Sequence, residues 1–86
     1  MSKKYSFDEI AAVVKAERDK QDEKWGPTKF QNAAGYLLIL EAELNEAKEG
    51  WMKNVEGKHS SLAEIVQIAA VAFACLEQHG ISGYPL

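Results

Sequence analysis

Three stretches of the chain place apolar residues at helical spacing, and glycine-bearing irregular segments separate them. The first stretch opens at Ser6, which has the capping-box spacing to Glu9, and runs to about Lys24. Phe7, Ile10, Val13 and Val14 supply its apolar face. From Glu17 onward that face continues with Glu17, Arg18 and Gln21, so the inward side turns polar halfway along. Two readings fit the run ERDKQDEKWG. It is either a solvated helix end laced with i,i+4 pairs, such as Glu17 with Gln21 and Arg18 with Asp22, or an end that overlooks a polar site. Gly26 and Pro27 stop this helix, and a loop follows to about Asn32.

Asn32 caps the second helix, which continues to Glu49 and is closed by Gly50, with Gly35 weakening its first turn. On a 3.6-residue period Leu37, Leu40, Leu44, Ala47 and Trp51 form an apolar seam, and Tyr36, Ile39, Glu43 and Glu46 form the stripe beside it. The segment from Gly50 to Ser60 has no sustained period and reads as the second loop. A capping box from Ser61 to Glu64 opens the third helix, which Gly80 ends, and the tail ISGYPL has no regular pattern. Between Ile65 and Leu76 only Gln67 is polar, so this helix must be covered on most sides. Two short neighbours cannot cover it alone. The expected fold is therefore all-α: one domain spanning 1–86, with three main helices in an antiparallel bundle completed by dimerisation or higher association.

Composition narrows the function classes. At 86 residues, an isolated three-helix chain buries about 60 to 65% of its unfolded surface, which again points to a homo-oligomeric partner. With 47% hydrophobic and 27% charged residues the chain has the make-up of a soluble domain. The sequence reads as free of an apolar run of transmembrane length, and its start, MSKKYSFDE, lacks the apolar centre of a signal peptide, so no membrane partner and a cytoplasmic location are expected. A net charge of -3 argues against binding a nucleic-acid polymer, which needs a basic face. Cys75, in an apolar helical run, reads as a covered, inert thiol. His59, in a loop, and His79, at a helix end, lack the neighbours of a metal ligand or catalytic base.

The candidate chemistry lies in carboxylates. Glu43 and Glu46 are three apart on one face of the second helix, where like charges repel unless something positive lies between them. Glu64 and Gln67 repeat that spacing on the third helix. Folded antiparallel, the two pairs face each other and offer three carboxylates and one amide oxygen, a donor set suited to Mg²⁺ with water or phosphate completing the octahedron. The E-x-x-E spacing also occurs on solvated helices, and Glu64 serves equally as half of a capping box.

The order of pieces, ERDKQDEKWG, then YLLILEAELNEA, then a loop, then LAEIVQIAAVAFACLE, resembles the MazG-like all-α nucleoside triphosphate pyrophosphohydrolases, in particular the small phage-type members, over roughly residues 10 to 80. The resemblance implies Mg²⁺, or Mn²⁺ in its place, bound by an E-x-x-E on one helix and an E-x-x-D on the next. It implies hydrolysis of a (deoxy)nucleoside triphosphate to the monophosphate and pyrophosphate. Glu43 and Glu46 match the first motif and Glu64 the start of the second, and these three are the expected catalytic and metal-binding residues. Gln67 stands where aspartate is expected, and Ala42 replaces an acidic residue often found before the E-x-x-E. An amide oxygen can coordinate Mg²⁺ but brings neither charge nor basicity. Lys24, Lys29 and Lys53 are candidate phosphate contacts, Trp25 and Trp51 candidate base-stacking rings, and Asn32 a polar contact to base or sugar. Each has an ordinary reading too, as a surface lysine, a ring at a helix end or a cap. Two other functions stay open: a catalytically weak relative that binds or sequesters a nucleotide, and a helical oligomeric interaction module.

Overall fold

The computed structural model describes residues 4–26, 31–53 and 61–83. They form three helices, α1 (Phe7–Trp25), α2 (Ala33–Met52) and α3 (Ser61–His79), and no strand is present among the described residues. The local chemistry expected at several ends is realised. Ser6 and Glu9 make both bonds of the capping box, at 3.1 and 3.0 Å. Asn32 accepts from the Gly35 amide at 2.7 Å. Gly26 (φ 89°) and Gly80 (φ 82°) close α1 and α3 in the left-handed region, each N–H returning to the carbonyl four residues back, Asp22 and Leu76 respectively.

One helix end differs from expectation. Gly50 does not stop α2, which continues through Trp51 and Met52, with the Lys53 N–H bonded to the Glu49 carbonyl at 3.0 Å. Gly50 is buried because it falls on the helix's inward stripe. The expected loop therefore starts later, and 54–60 lies outside the described residues. Ser61 is the first residue of α3 rather than its flanking cap, and the residue before it also lies outside them.

α3 is the middle element: it packs against both α1 and α2, which do not pack against each other. Its pairing with α2 is antiparallel, since Tyr36 meets His79 ring-to-edge (centroids 6.1 Å apart) while Glu43 and Glu46 lie opposite Glu64. Tyr36, Val71 and Ala74 form the buried cluster, flanked by Ile39, Leu40 and Cys75. The inward stripe of α2 thus runs Tyr36, Leu40, Glu43, Ala47, Gly50, a strict alternation of three and four residues. This is rotated from the expected seam. Leu37, Leu44 and Trp51 are 66%, 53% and 77% exposed, because the small Ala47 and Gly50 bring the other side of the helix closer to α3. Likewise on α1, Phe7, Ile10 and Val13 are exposed and Val14 alone of the four is buried. The inward line continues from Val14 through Arg18 and Gln21 to Trp25.

Three sides of α3 have different fates. The side bearing Glu64, Gln67, Val71 and Ala74 meets α2, and the side bearing Ala70 and Glu77 meets α1, where the Glu77 carboxylate accepts from Arg18 Nε at 2.6 Å. The third side, with Leu62, Ile65 and Leu76, is exposed. The chain exposes 7061 Å², against about 5000 Å² for a folded monomer of this mass. By length and composition α3 is apolar enough to cross a membrane, which corrects the expectation that no such run exists. Its Glu64, Gln67 and Glu77 face α2 and α1, however, which makes it the spine of a three-helix assembly.

Ala70 is fully covered, so Ala70→Leu should overpack the α1–α3 contact and lower stability by about 1 to 3 kcal/mol, whereas Ala42→Leu on the exposed side of α2 should change it by less than about 0.5 kcal/mol. Chemical denaturation of the two variants beside the parent chain measures both.

Candidate functional site

The antiparallel α2–α3 pairing brings one carboxylate oxygen each of Glu43, Glu46 and Glu64 within 4.8 Å of one another. Glu64 is buried, Glu43 half-buried and Glu46 exposed, so the cluster grades from the helix interface outward to solvent. Gln67 joins it. With its amide oxygen inward it would set acceptor against acceptor; with its nitrogen inward it donates to Glu64 Oε2 at 3.1 Å and Glu43 Oε2 at 3.2 Å. The nitrogen-inward amide therefore bridges carboxylates on two helices.

The fit of this cluster to a divalent cation can be judged by size. Oxygens on opposite sides of Mg²⁺ lie about 4.2 Å apart and on opposite sides of Ca²⁺ about 4.6 to 5.2 Å. A set spread over no more than 4.8 Å needs only small side-chain rotations to close on either ion, and a half-turn of the Gln67 amide adds its oxygen as a fourth donor. The residues fit the group.

Beside the cluster lies a cleft of about 470 Å³ between the three helices, a volume in the range of small-molecule sites. Glu43 belongs to its wall and so connects it to the carboxylates. Tyr36, Ile39, Val71 and Ala74 line it from α2 and α3, and Arg18, Gln21, Asp22 and Trp25 line it from α1. Arg18 is held between Glu77 (2.6 Å) and Asp22 (2.8 Å), which keep it protonated even more firmly than usual and occupy its charge. The lining thus carries one engaged cation and three carboxylates, Asp22, Glu43 and Glu77, a field that repels a phosphate chain unless a cation accompanies it.

Two polar side chains in this cleft are more than nine-tenths buried, Gln21 at 7% exposure and Tyr36 at 7%. Neither side chain makes a hydrogen bond among the described residues, and none of their polar atoms is sealed from solvent. Burial, as the first cause, raises the Tyr36 hydroxyl above the ordinary tyrosine range, so it is a neutral donor and acceptor at physiological pH.

The other expected contacts divide. Trp25 lines the cleft and is half exposed, with the Lys24 ammonium 5.4 Å from its ring centroid. Lys24 itself points its charge at that ring and is not part of the lining. Asn32 spends its side-chain oxygen on the cap of α2, and Gln31 lines the cleft in its place. Trp51 and Lys53 are exposed at the far end of α2, away from the cleft. Lys29 and His59 lie outside the described residues. His79 lies against Tyr36 with Nε2 2.8 Å from the Gln31 carbonyl oxygen, a structural placement. The Arg18–Asp22 pair forms, whereas Gln21 turns inward instead of pairing with Glu17. Spacing set Gln21 on the inward face of α1, two turns beyond Val14, at an end read as either solvated or overlooking a polar site, and the cleft lies on that side. Sequence reasoning missed Tyr36 as a cleft residue, having placed it only on the stripe beside the apolar seam.

Comparison with known proteins returns no match to a family model, to a curated protein or to a solved structure.

The Gln67 bridge yields a stability prediction. With divalent ions chelated, Gln67→Leu should lower stability by about 1 to 3 kcal/mol, because the Glu43 and Glu64 carboxylates lose a shared donor, and Gln67→Glu should lower it further by adding a fourth like charge. Equal urea midpoints for both variants and the parent chain would contradict the bridge.

Proposed function

We propose that the protein is a Mg²⁺-dependent nucleoside triphosphate pyrophosphohydrolase, resembling the MazG-like class, which acts on cytoplasmic nucleotides as a homo-oligomer. The observation that carries this reading is the convergence of Glu43, Glu46 and Glu64 within 4.8 Å beside a cleft of about 470 Å³. A negatively charged cleft suits a triphosphate only if a cation comes with it, and the carboxylates stand where one would be held. Glu43, Glu46 and Glu64 would hold the ion, with the Gln67 oxygen as a further donor once the amide turns. Bound there, Mg²⁺ supplies neutralisation of the triphosphate and polarisation of the α-phosphoryl group. The cleft walls orient the nucleotide, and a glutamate within hydrogen-bond reach of the attacking water takes its proton. The water oxygen bonds to the α-phosphorus, the bond to the bridging oxygen breaks in line, and pyrophosphate leaves. The exposed stripe of Leu62, Ile65 and Leu76 on α3, with Leu37 and Leu44 on α2, is the surface a second copy would cover.

A second reading, a nucleotide binder with weak turnover or none, is favoured by Gln67, which replaces a negative ligand by an amide engaged with Glu43 and Glu64.

A panel of ribo- and deoxyribonucleoside triphosphates with Mg²⁺ or Mn²⁺, its products resolved by chromatography, should yield monophosphate and pyrophosphate. Glu43→Ala and Glu64→Ala should each lower that rate by roughly 100-fold or more, beyond what loss of an outer support costs a metal site. Absence of these products, or unchanged rates in both variants, would rule out the enzyme, and tight calorimetric binding without turnover would establish the binder instead.

A further inference from the structure

The geometry points to Gln21 as the residue that reads the base: its amide pairs with the Watson–Crick edge of the nucleobase, Trp25 covers the ring's face, and the Tyr36 hydroxyl supplies a further polar contact. The inference rests on the nucleotide reading above and deepens it by assigning the base half of the cleft.

A polar side chain that gives up most of its surface keeps its hydrogen-bonding atoms either bonded within the protein or in contact with water. Most buried polar side chains are accordingly bonded within the protein. Gln21 and Tyr36 depart from this together, both at 7% exposure, both lining one cleft, and neither side chain hydrogen-bonded among the described residues. Their unbonded atoms retain solvent contact in the cleft they line. What they meet there should carry complementary groups.

The shape of the recognised group follows from the company Gln21 keeps. Trp25 is one helical turn beyond it, on the same face of α1. Ile39, Val71 and Ala74 supply an apolar wall. An amide edge, an indole face one turn away and an apolar wall suit a planar heterocycle with adjacent donor and acceptor. An amide presents one donor and one acceptor side by side, which matches the adjacent N6–H donor and N1 acceptor on the Watson–Crick edge of adenine and the N3–H donor and neighbouring carbonyl of uracil. Because the amide can turn over, it pairs with donor–acceptor edges in either order, so the intact edge is required while several bases are accepted. A carboxylate at this position has only acceptors and suits guanine, whose N1–H and N2–H₂ are adjacent donors. Glu43, on the wall of the same cleft, leaves the phosphate chain on the side of the carboxylate cluster.

The test uses calorimetric titration of the intact chain with nucleosides, which need neither metal nor turnover, so its outcome is independent of whether the chain hydrolyses triphosphates. Adenosine and uridine should bind, and N1-methyladenosine and N3-methyluridine, whose edges are blocked, should bind roughly tenfold more weakly or worse. Gln21→Leu should abolish that difference, and Gln21→Glu should raise the ratio of guanosine to adenosine affinity by roughly tenfold; ratios on one protein are insensitive to a folding loss common to both ligands. Equal affinity of the parent chain for blocked and unblocked nucleosides, no nucleoside binding at millimolar concentration, or ribose 5-phosphate competing as well as adenosine, would each overturn the assignment. None of these outcomes needs a variant to fold.

Discussion

Three carboxylates gathered on the α2–α3 seam are the constraint around which this fold is arranged. Two ionised carboxylates whose oxygens lie within 4.8 Å of each other repel by roughly 3 kcal/mol or more at an effective dielectric near 20, and by less where one of them is the exposed Glu46. A helix pair selected for stability alone would place leucine there, as it does elsewhere on α2. Instead the seam spends its apolar contacts on Tyr36, Leu40, Val71 and Ala74 at one end and gives the other to Glu43, Glu64 and Gln67. Gln67 relieves part of the repulsion by donating to both carboxylates. The small Ala47 and Gly50 continue the stripe beyond Glu43 and let the two helices stay close while they carry those charges.

The same economy extends to α1. It joins the bundle through α3 alone, by Val14 and the Arg18–Glu77 pair, and so leaves open the space between itself and α2. That opening is the cleft. A third helix packed tightly on both others would fill it with side chains; here Gln21, Tyr36 and Trp25 border it instead. The polar cleft and the thin core have a common cause, since the residues that would complete the core face the cleft or the exposed sides of α1, α2 and α3.

Much of this was legible in the sequence, for identifiable reasons. Caps are local, so Ser6 with Glu9, Asn32, Gly26 and Gly80 announced their helix ends correctly. The i,i+3 spacing placed Glu43 with Glu46 and Glu64 with Gln67, and antiparallel pairing brought the two sets together. Rotation about the helix axis was not legible, because α2 is apolar on two sides. Leu37, Leu44 and Trp51 make as good a stripe as Tyr36, Leu40 and Ala47, and only packing against α3 chooses between them. Gly50 misled for a related reason: a glycine on a buried stripe and a glycine that ends a helix look alike in one dimension. Trp51 and Lys53 were placed near the site by sequence proximity to Glu46, yet the helix runs on and carries them away from the cleft. Gln21 was legible as inward from its spacing to Val14, but whether that end was solvated or bordered a polar site depended on how α1 packs on α3.

The most direct test of the carboxylate cluster as a metal centre is thermal unfolding of the parent chain and of Glu43→Gln/Glu64→Gln in buffer of constant ionic strength, with and without Mg²⁺. An ion that binds only the folded chain should stabilise the parent by about 1.4 kcal/mol at tenfold excess over its Kd, a rise of several degrees, and leave the double variant unmoved. An unchanged melting temperature of the parent at millimolar Mg²⁺, or an equal rise in the double variant, would contradict it.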